Sequence, residues 1–232
     1  EVRIYKMLYS FRLLMELHEV EDYMICATSA MRESRNTSDI VTRIHGQLGM
    51  KIQIIEGAKE AELINNVVVQ ALHDNHNYLH VDVGGGSTEL NLYVERMKVA
   101  SRSFKIGSVR LLEGKEIKGD WEKMRRWVED HIDPRHANVI AVGTGGNINK
   151  LFNLSPNKLT DTSISLDELQ RLHDYIATFS LKDRIHKLKL NPDRADVIVP
   201  ASEIYLSAMR WAGAKTMLVP DLGLKDGIIQ MV

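Results

Sequence analysis

The chain has one cysteine, Cys26, in 232 residues. A single thiol closes no internal disulfide and builds no cysteine-rich metal site, so a reducing, cytoplasmic setting is the expectation. Charge of one sign is lacking too: 30 basic side chains stand against 31 acidic ones, a formal net of −1. That balance removes any bulk electrostatic case for a nucleic-acid partner or a membrane surface, leaving only local patches. No apolar run approaches the roughly 18 residues of a membrane span, and the opening Glu1-Val2-Arg3-Ile4 has no signal-peptide character. There is no initiator methionine, which raises the expectation that the chain begins partway through a larger protein. Apolar residues, by contrast, are plentiful at 44%, too many for a disordered chain and enough for one large or two small domains.

Helical and strand periods alternate, which predicts an α/β fold. Met7, Leu8, Phe11, Leu14, Met15 and Leu17 predict a helix over 4–19, and Ser38–Leu48 a second one stopped at Gly49. Tyr23–Ala27 and Lys51–Ile55 read as strands, with Thr28-Ser29 as a polar turn between and Ala58–His73 as the next helix. From Tyr78 the texture changes to three closely spaced strands, 78–83, 88–94 and 98–105, an antiparallel meander. Leu90, Leu92 and Val94 alternate there with Glu89, Asn91 and Tyr93. Helices follow at about 120–130, 146–152 and 166–179, with a strand at 138–142. Asn191 as cap, Pro192 at the first position and Gly213 as stop predict one long helix, kinked at Pro200. A strand at 216–219 and a helix at 222–231 close the chain. The composition shift near Gly57 marks the expected boundary between domains 1–57 and 58–232.

The segment richest in chemistry is Asp82-Val83-Gly84-Gly85-Gly86-Ser87-Thr88-Glu89. Glycines between two strands bring N–H groups close to a ligand, and such a nest suits phosphate oxygens. Ser87 adds a hydroxyl donor, and Asp82 and Glu89 could hold a divalent cation bridging those oxygens. An ordinary hairpin tip needs one glycine and no flanking acids. A second cluster, Val142-Gly143-Thr144-Gly145-Gly146-Asn147, follows a strand and precedes a helix, a place for a further phosphate or a nucleoside. Taken alone it is also a common α/β turn. Arg32 lies just beyond a strand end, where α/β folds bind ligands, although in isolation a solvated loop arginine is the better account. Arg194 stands in the first turn of a helix, unfavourable for a cation, which hints at an anionic partner or at Asp193 and Asp196. Glu56, Glu60 and Glu62 would merely complement a helix dipole if read by themselves. His73, His76 and His80 span a helix-to-strand connection without a nearby cysteine, a poor zinc set. Arg125-Arg126 beside Trp121 and Trp127 reads as an amphipathic surface helix.

In this order the segments resemble the exopolyphosphatase / guanosine pentaphosphate phosphohydrolase family, of the superfamily that includes actin, sugar kinases and chaperone ATPases. The matching stretches are 27–32 (ATSAMR), 54–64 (IIEGAKEAELI), 81–89 (VDVGGGSTE), 105–111 (KIGSVRL), 142–147 (VGTGGN), 193–200 (DRADVIVP) and 222–228 (LGLKDGI). The resemblance implies an α/β, actin-like (ribonuclease H-like) two-domain fold with mixed sheets, whose last helix packs back on the first domain. It implies a phosphohydrolase removing terminal phosphate from inorganic polyphosphate, guanosine pentaphosphate or both, in the cytoplasm and with Mg2+ or Mn2+. Carried over by residue, Glu60 becomes the general base and Arg32 the contact to the terminal phosphoryl group. Gly84, Gly85, Gly86 and Ser87, with Gly143, Thr144, Gly145 and Arg194, bind phosphate, and Asp82 and Glu89 hold the metal. No nucleic acid or membrane is implied, and a homodimer stays open.

The sequence departs from the family pattern at Glu56, Lys59 and Ala201, where a small residue, an acid and a glycine are usual. It also lacks the opening strand and first phosphate loop, so the first domain is expected to be incomplete, with an uncovered sheet edge. The 232-residue chain alone is then expected to be inactive while the full-length protein hydrolyses phosphoanhydrides. A non-hydrolytic nucleotide or polyphosphate sensor is the alternative. An ATP-dependent kinase of the same superfamily sits badly with Glu60 and the DRADVIVP segment.

Overall fold

The computed structural model describes residues 2–70, 72–73, 76–115, 119–132, 138–220 and 222–229. The chain gathers into two compact units, Glu1–Gln70 with Leu222–Val232, and Ala71–Asp221. Among the described residues no helix is long and apolar enough to cross a membrane.

The first unit opens with helix α1 (Val2–Leu17), strand β1 (Ile25–Ala27), the one-turn helix α2 (Ser29–Arg32), α3 (Thr37–Leu48), β2 (Ile52–Ile54) and α4 (Gly57–Gln70). Ile40, Ile44 and Leu48 recur every fourth residue, so α3 buries one stripe against Leu8 and Met50. Gly49 ends α3 in the left-handed region (φ 69°), its N–H returning to the His45 carbonyl at 2.9 Å. β1 and β2 pair in parallel, Ile25 with Ile52 and Ala27 with Ile54, through the α3 crossover. The expected turn at Thr28-Ser29 is instead the start of α2, closed by Met31 and Arg32 N–H bonds to the Thr28 carbonyl.

The second unit is a six-stranded mixed sheet. Its strands are β3 (Asn77–Val83), β4 (Thr88–Val94), β5 (Met97–Phe104), β6 (Val139–Thr144), β7 (Ser163–Ser165) and β8 (Thr216–Leu218), in the order β5-β4-β3-β6-β8-β7. β3, β6 and β8 run parallel, and the meander β3–β4–β5 is antiparallel. Helices α5 (Ser108–Leu112), α6 (Asp120–His131), α7 (Gly146–Leu154), α8 (Leu166–Ala177), α9 (Leu181–His186), α10 (Pro192–Ala195) and α11 (Ile198–Ala212) complete it. α11 is the central one, packing on α5, α6, α7, α8, β3 and β6. The Arg125/Arg126 helix is the solvated face expected: the two arginines pair with Glu129 and Glu122 at 2.8 Å, while Trp127 is buried on Phe104.

The long helix expected from Pro192 is two helices, α10 and α11, parted at Asp196-Val197. Proline has no N–H to give and crowds the carbonyl four residues back. Restarting at Ile198 puts Pro200 in a first turn, where N–H groups have no intrahelical acceptor anyway, and the expected kink is avoided. α12 (Leu224–Ile229) closes the chain and belongs to the first unit, because it packs on α4. Gly227 lies so close there that a Cβ would stand 2.8 Å from the Leu63 carbonyl oxygen. The division between the units falls after Gln70, one helix beyond the composition shift at Gly57.

Candidate active site

In the first unit, the strand-end arginine and the helix-start glutamate come together. Arg32, at the end of α2, donates from Nη1 to the Ile55 carbonyl at 2.6 Å and approaches Glu60 Oε2 at 3.5 Å. Both side chains keep about a quarter of their surface exposed, 28% and 26%. Glu60 stands in the first turn of α4, its N–H on the Glu56 carbonyl. Neighbouring Lys59 turns away to pair with Glu62 at 3.0 Å. The unit thus presents a carboxylate beside a guanidinium that is itself fixed by a main-chain carbonyl.

In the second unit, the glycine segment is the tip of the β3–β4 hairpin. The Gly84 N–H bonds the Ser87 carbonyl at 2.9 Å, and all three glycines are exposed. None of them lies in the left-handed region. The tip is shaped from behind by α5: the amides of Ser108 and Val109 donate to the Gly84 and Gly85 carbonyls, both at 3.0 Å, and Arg110 N–H also reaches Gly85. Arg110 Nε adds a bond to the Gly86 carbonyl at 3.1 Å. With its carbonyls drawn back, the tip leaves the N–H groups of Gly85 and Gly86 without an acceptor among the described residues. That polarity is what an anion requires. Gly107 permits the docking, since a Cβ there would stand 2.3 Å from the Gly85 oxygen. Gly107 and Arg110 carry no functional mark in the sequence beyond lying in the KIGSVRL stretch.

Asp82 and Glu89 are direct cross-strand partners at the stem of this hairpin. Their side chains share a face, with Cβ atoms about 5 Å apart. Glu89 Oε1 accepts from Ser87 Oγ at 2.7 Å and from Ser103 Oγ at 2.9 Å. The Ser87 hydroxyl, expected as a donor to phosphate, is turned here to the carboxylate two residues on. The two acids suit Mg2+, which binds through one or two carboxylates, keeps several waters and takes its remaining ligands from phosphate oxygens. Among the described residues no cluster of three or more His, Cys, Asp or Glu exists for a closed metal cage.

The second glycine cluster is divided by the structure. Gly143 lies inside the sheet, where a Cβ would stand 2.7 Å from Met217 Sδ and 2.9 Å from Ile148, so its role is packing. Thr144 is buried, with its hydroxyl on His80 Nε2 at 2.8 Å and its carbonyl on the Tyr205 hydroxyl at 2.7 Å. Neither offers a group to a ligand, because parallel pairing of β6 between β3 and β8 carries both into the interior. Gly145 is the N-cap of α7 at φ 103°, ψ 161°, a conformation that only glycine adopts readily. Beside it, Arg194 lies over Gly146, its Nη2 2.8 Å from where a Cβ would be. Arg194 holds Asp193 only loosely, at 3.8 Å. The exposed part of this cluster is therefore Gly145–Gly146, the first turn of α7, and Arg194. Buried Asn147 follows with an amide oxygen that has no partner among the described residues.

His80 is not a metal ligand in waiting. Asn91 Nδ2 donates to its Nδ1 at 3.1 Å, which fixes the neutral ring with its proton on Nε2, given to Thr144. Desolvation by burial, with a smaller push from Lys98, pulls this imidazole down to about 4. Burial and the nearby Asp82 charge push the Tyr205 phenol well up, so it remains a donor.

The sequence model of the Ppx/GppA phosphatase family matches residues 2–231. Exopolyphosphatase 1 of Mycobacterium leprae is 23% identical over 233 residues, covering 90% of this chain and 67% of that protein. A bifunctional 3-dehydroquinate synthase/phosphatase of Fusobacterium nucleatum is 27% identical over 240 residues, covering 94% of this chain but 36% of that protein. The crystal structure of an exopolyphosphatase from Cytophaga hutchinsonii superposes with a TM-score of 0.79 at 25% identity, over 99% of this chain and 80% of that one.

Proposed function

The chain belongs to the Ppx/GppA phosphatase family and has its actin-like mixed α/β fold, and from that premise we propose that it serves to remove the terminal phosphate of inorganic polyphosphate, guanosine pentaphosphate or both. The observation that carries this reading is the Gly84–Gly86 tip, whose carbonyls are bonded from α5 while the Gly85 and Gly86 amides have no acceptor among the described residues, with Asp82 and Glu89 paired at its stem. Phosphoanhydride hydrolysis asks a protein mainly for positioning and charge stabilisation, and open amides beside two acids provide the means. The first turn of α7 and Arg194 offer a second positive pole for further phosphoryl groups or a nucleoside.

Glu60 is assigned the general base that takes a proton from the attacking water, and Arg32 the contact to the terminal phosphoryl oxygens. The Arg32–Ile55 bond supports this by fixing the guanidinium, and the guanidinium in turn steadies the Glu60 carboxylate. Asp82 and Glu89 Oε2 would hold Mg2+, which when bound offsets charge on phosphate oxygens. Ser87 and Ser103 keep Glu89 in one rotamer for that purpose.

The test is phosphate release by the full-length protein from polyphosphate, guanosine pentaphosphate and ATP, side by side with and without Mg2+. Release from either of the first two supports the hydrolase. Tight binding of both with no release would make the protein a phosphate-chain sensor, and preference for ATP with a sugar or acid acceptor would make it a kinase.

A further inference from the structure

The two glycine loops leave the sheet from neighbouring strands, and one side chain stands where they part. β3 and β6 pair in parallel as far as Asp82 opposite Thr144. Beyond that rung β3 turns into Gly84 and β6 into Gly145, and the two strands part. Tyr205, on the central helix α11, has no exposed surface, and its hydroxyl donates to the Thr144 carbonyl at 2.7 Å. The Val83 main chain stands close to the same oxygen. Val83 and Thr144 are the last residues of their strands, each directly preceding a glycine loop. A Cβ on Gly145 would lie 3.7 Å from the phenol oxygen and 3.3 Å from Asp82 Oδ1, so the hydroxyl, the acid and the second turn meet at one point.

We propose that Tyr205 is a positioning residue for both loops, its hydroxyl holding the end of β6 beside the end of β3 and fixing the take-off of Gly84 and of Gly145 together. The proposal rests on reading those loops as phosphate-binding. Its distinguishing consequence is joint: removing one hydroxyl loosens two loops that are far apart in sequence. Phenylalanine fills the same ring volume on α11 and removes the bond to the Thr144 carbonyl beside the Val83 main chain. Thr144 keeps its hydroxyl bond to His80, so β6 itself stays in place.

Amide hydrogen exchange on the whole protein tests this, comparing wild type, Tyr205→Phe and Tyr78→Phe. Tyr78 is an equally buried control whose hydroxyl serves the His73 N–H instead, at 3.1 Å. The reporters are the bonded amides of Gly84, Ser108 and Val109 for the first loop and Asn149, which bonds the Gly145 carbonyl, for the second. Glu168 and Arg184 serve as distant references. Tyr205→Phe is expected to speed exchange about tenfold or more at both reporter sets and to leave the references unchanged. Tyr78→Phe is expected to spare both sets. Acceleration at one loop only, at neither, or evenly with Glu168 and Arg184 overturns the proposal. In parallel, polyphosphate affinity measured by calorimetry is expected to fall about tenfold in Tyr205→Phe; an unchanged affinity overturns the proposal. If polyphosphate fails to bind the wild type, the reading of the loops falls, and the exchange comparison still decides the role of Tyr205.

Discussion

Alanine at Gly107 puts the structural account of the hairpin tip at risk in a measurable way. The added Cβ would stand 2.3 Å from the Gly85 oxygen and 2.5 Å from the Gly85 and Gly86 carbonyl carbons. These are main-chain atoms that cannot swing aside, so α5 and the tip must separate by about 1 Å to reach ordinary contact. Overpacking of that kind costs about 1–3 kcal/mol. Losing one or two of the amide bonds from Ser108, Val109 and Arg110 adds about 1 kcal/mol each. The expected loss of stability is therefore about 2–5 kcal/mol, read from urea midpoints at constant slope. Where the tip survives displaced by about 1 Å, turnover on polyphosphate should fall about a hundredfold. The contrast is Gly86→Ala, a glycine inside the motif with nothing within 4 Å of its Cβ position and a φ outside the left-handed region. Its stability should stay within about 0.5 kcal/mol of wild type. A neutral Gly107→Ala, or a Gly86→Ala that unfolds the protein as readily, would refute the reasoning.

Three further outcomes are expected. Glu60→Gln in the full-length protein should cut turnover at least about a hundredfold while polyphosphate binding persists, and because the Arg32 pair is partly exposed its stability cost should stay below about 1 kcal/mol; retained turnover removes Glu60 from its role. His80 titrates near 6.5 when unfolded and about 4 when folded, so the unfolded chain binds the extra proton between those values, and stability, complete above pH 6.5, should decline by about 2–3 kcal/mol as pH falls toward 4. His80→Gln should lose less over the same window, and an equal loss in urea titrations at pH 7 and 4.5 would contradict the assignment. Glu95 and Arg96 turn the β4–β5 hairpin with φ of 49° and 63°, and replacing them by Asn-Gly should raise stability by about 0.5–1 kcal/mol in thermal melts, with no gain counting against a strained turn.

The parts of the fold that could be read from residues are those where local chemistry and tertiary need coincide. Leu90 and Leu92 alternate with Glu89 and Asn91 because one face of β4 is core and the other polar. Gly49 and Gly213 end α3 and α11 because each helix needs a left-handed residue at that point. Pro200 shows the reverse case: its chemistry is plain, but whether it kinks a helix or starts one depends on where the preceding turn breaks. The short α9 is signalled only by Ser180 capping Asp183, too little to stand out from a loop. At the candidate site the acids, the glycines and Arg194 are legible as a set. Gly107 is not, because its need for glycine arises from α5 meeting a loop far away in sequence. Thr144 misleads for a related reason, since a hydroxyl next to glycines looks available until His80 and Tyr205 are seen to consume its polar groups.

The return of α12 to the first unit also sets an order of events during synthesis. Residues 2–70 leave the ribosome before the second unit, yet the helix that packs on α4 through Gly227 comes only after the whole of that unit. At about 5–20 residues per second, roughly eight to thirty seconds separate the two. During that interval the second unit can fold on its own sheet while α4, bearing Glu60, has no α12 beside it. The first unit is joined by α12 only after the second unit has been made, and α4 with its Glu60 gains that neighbour only when translation has passed residue 229.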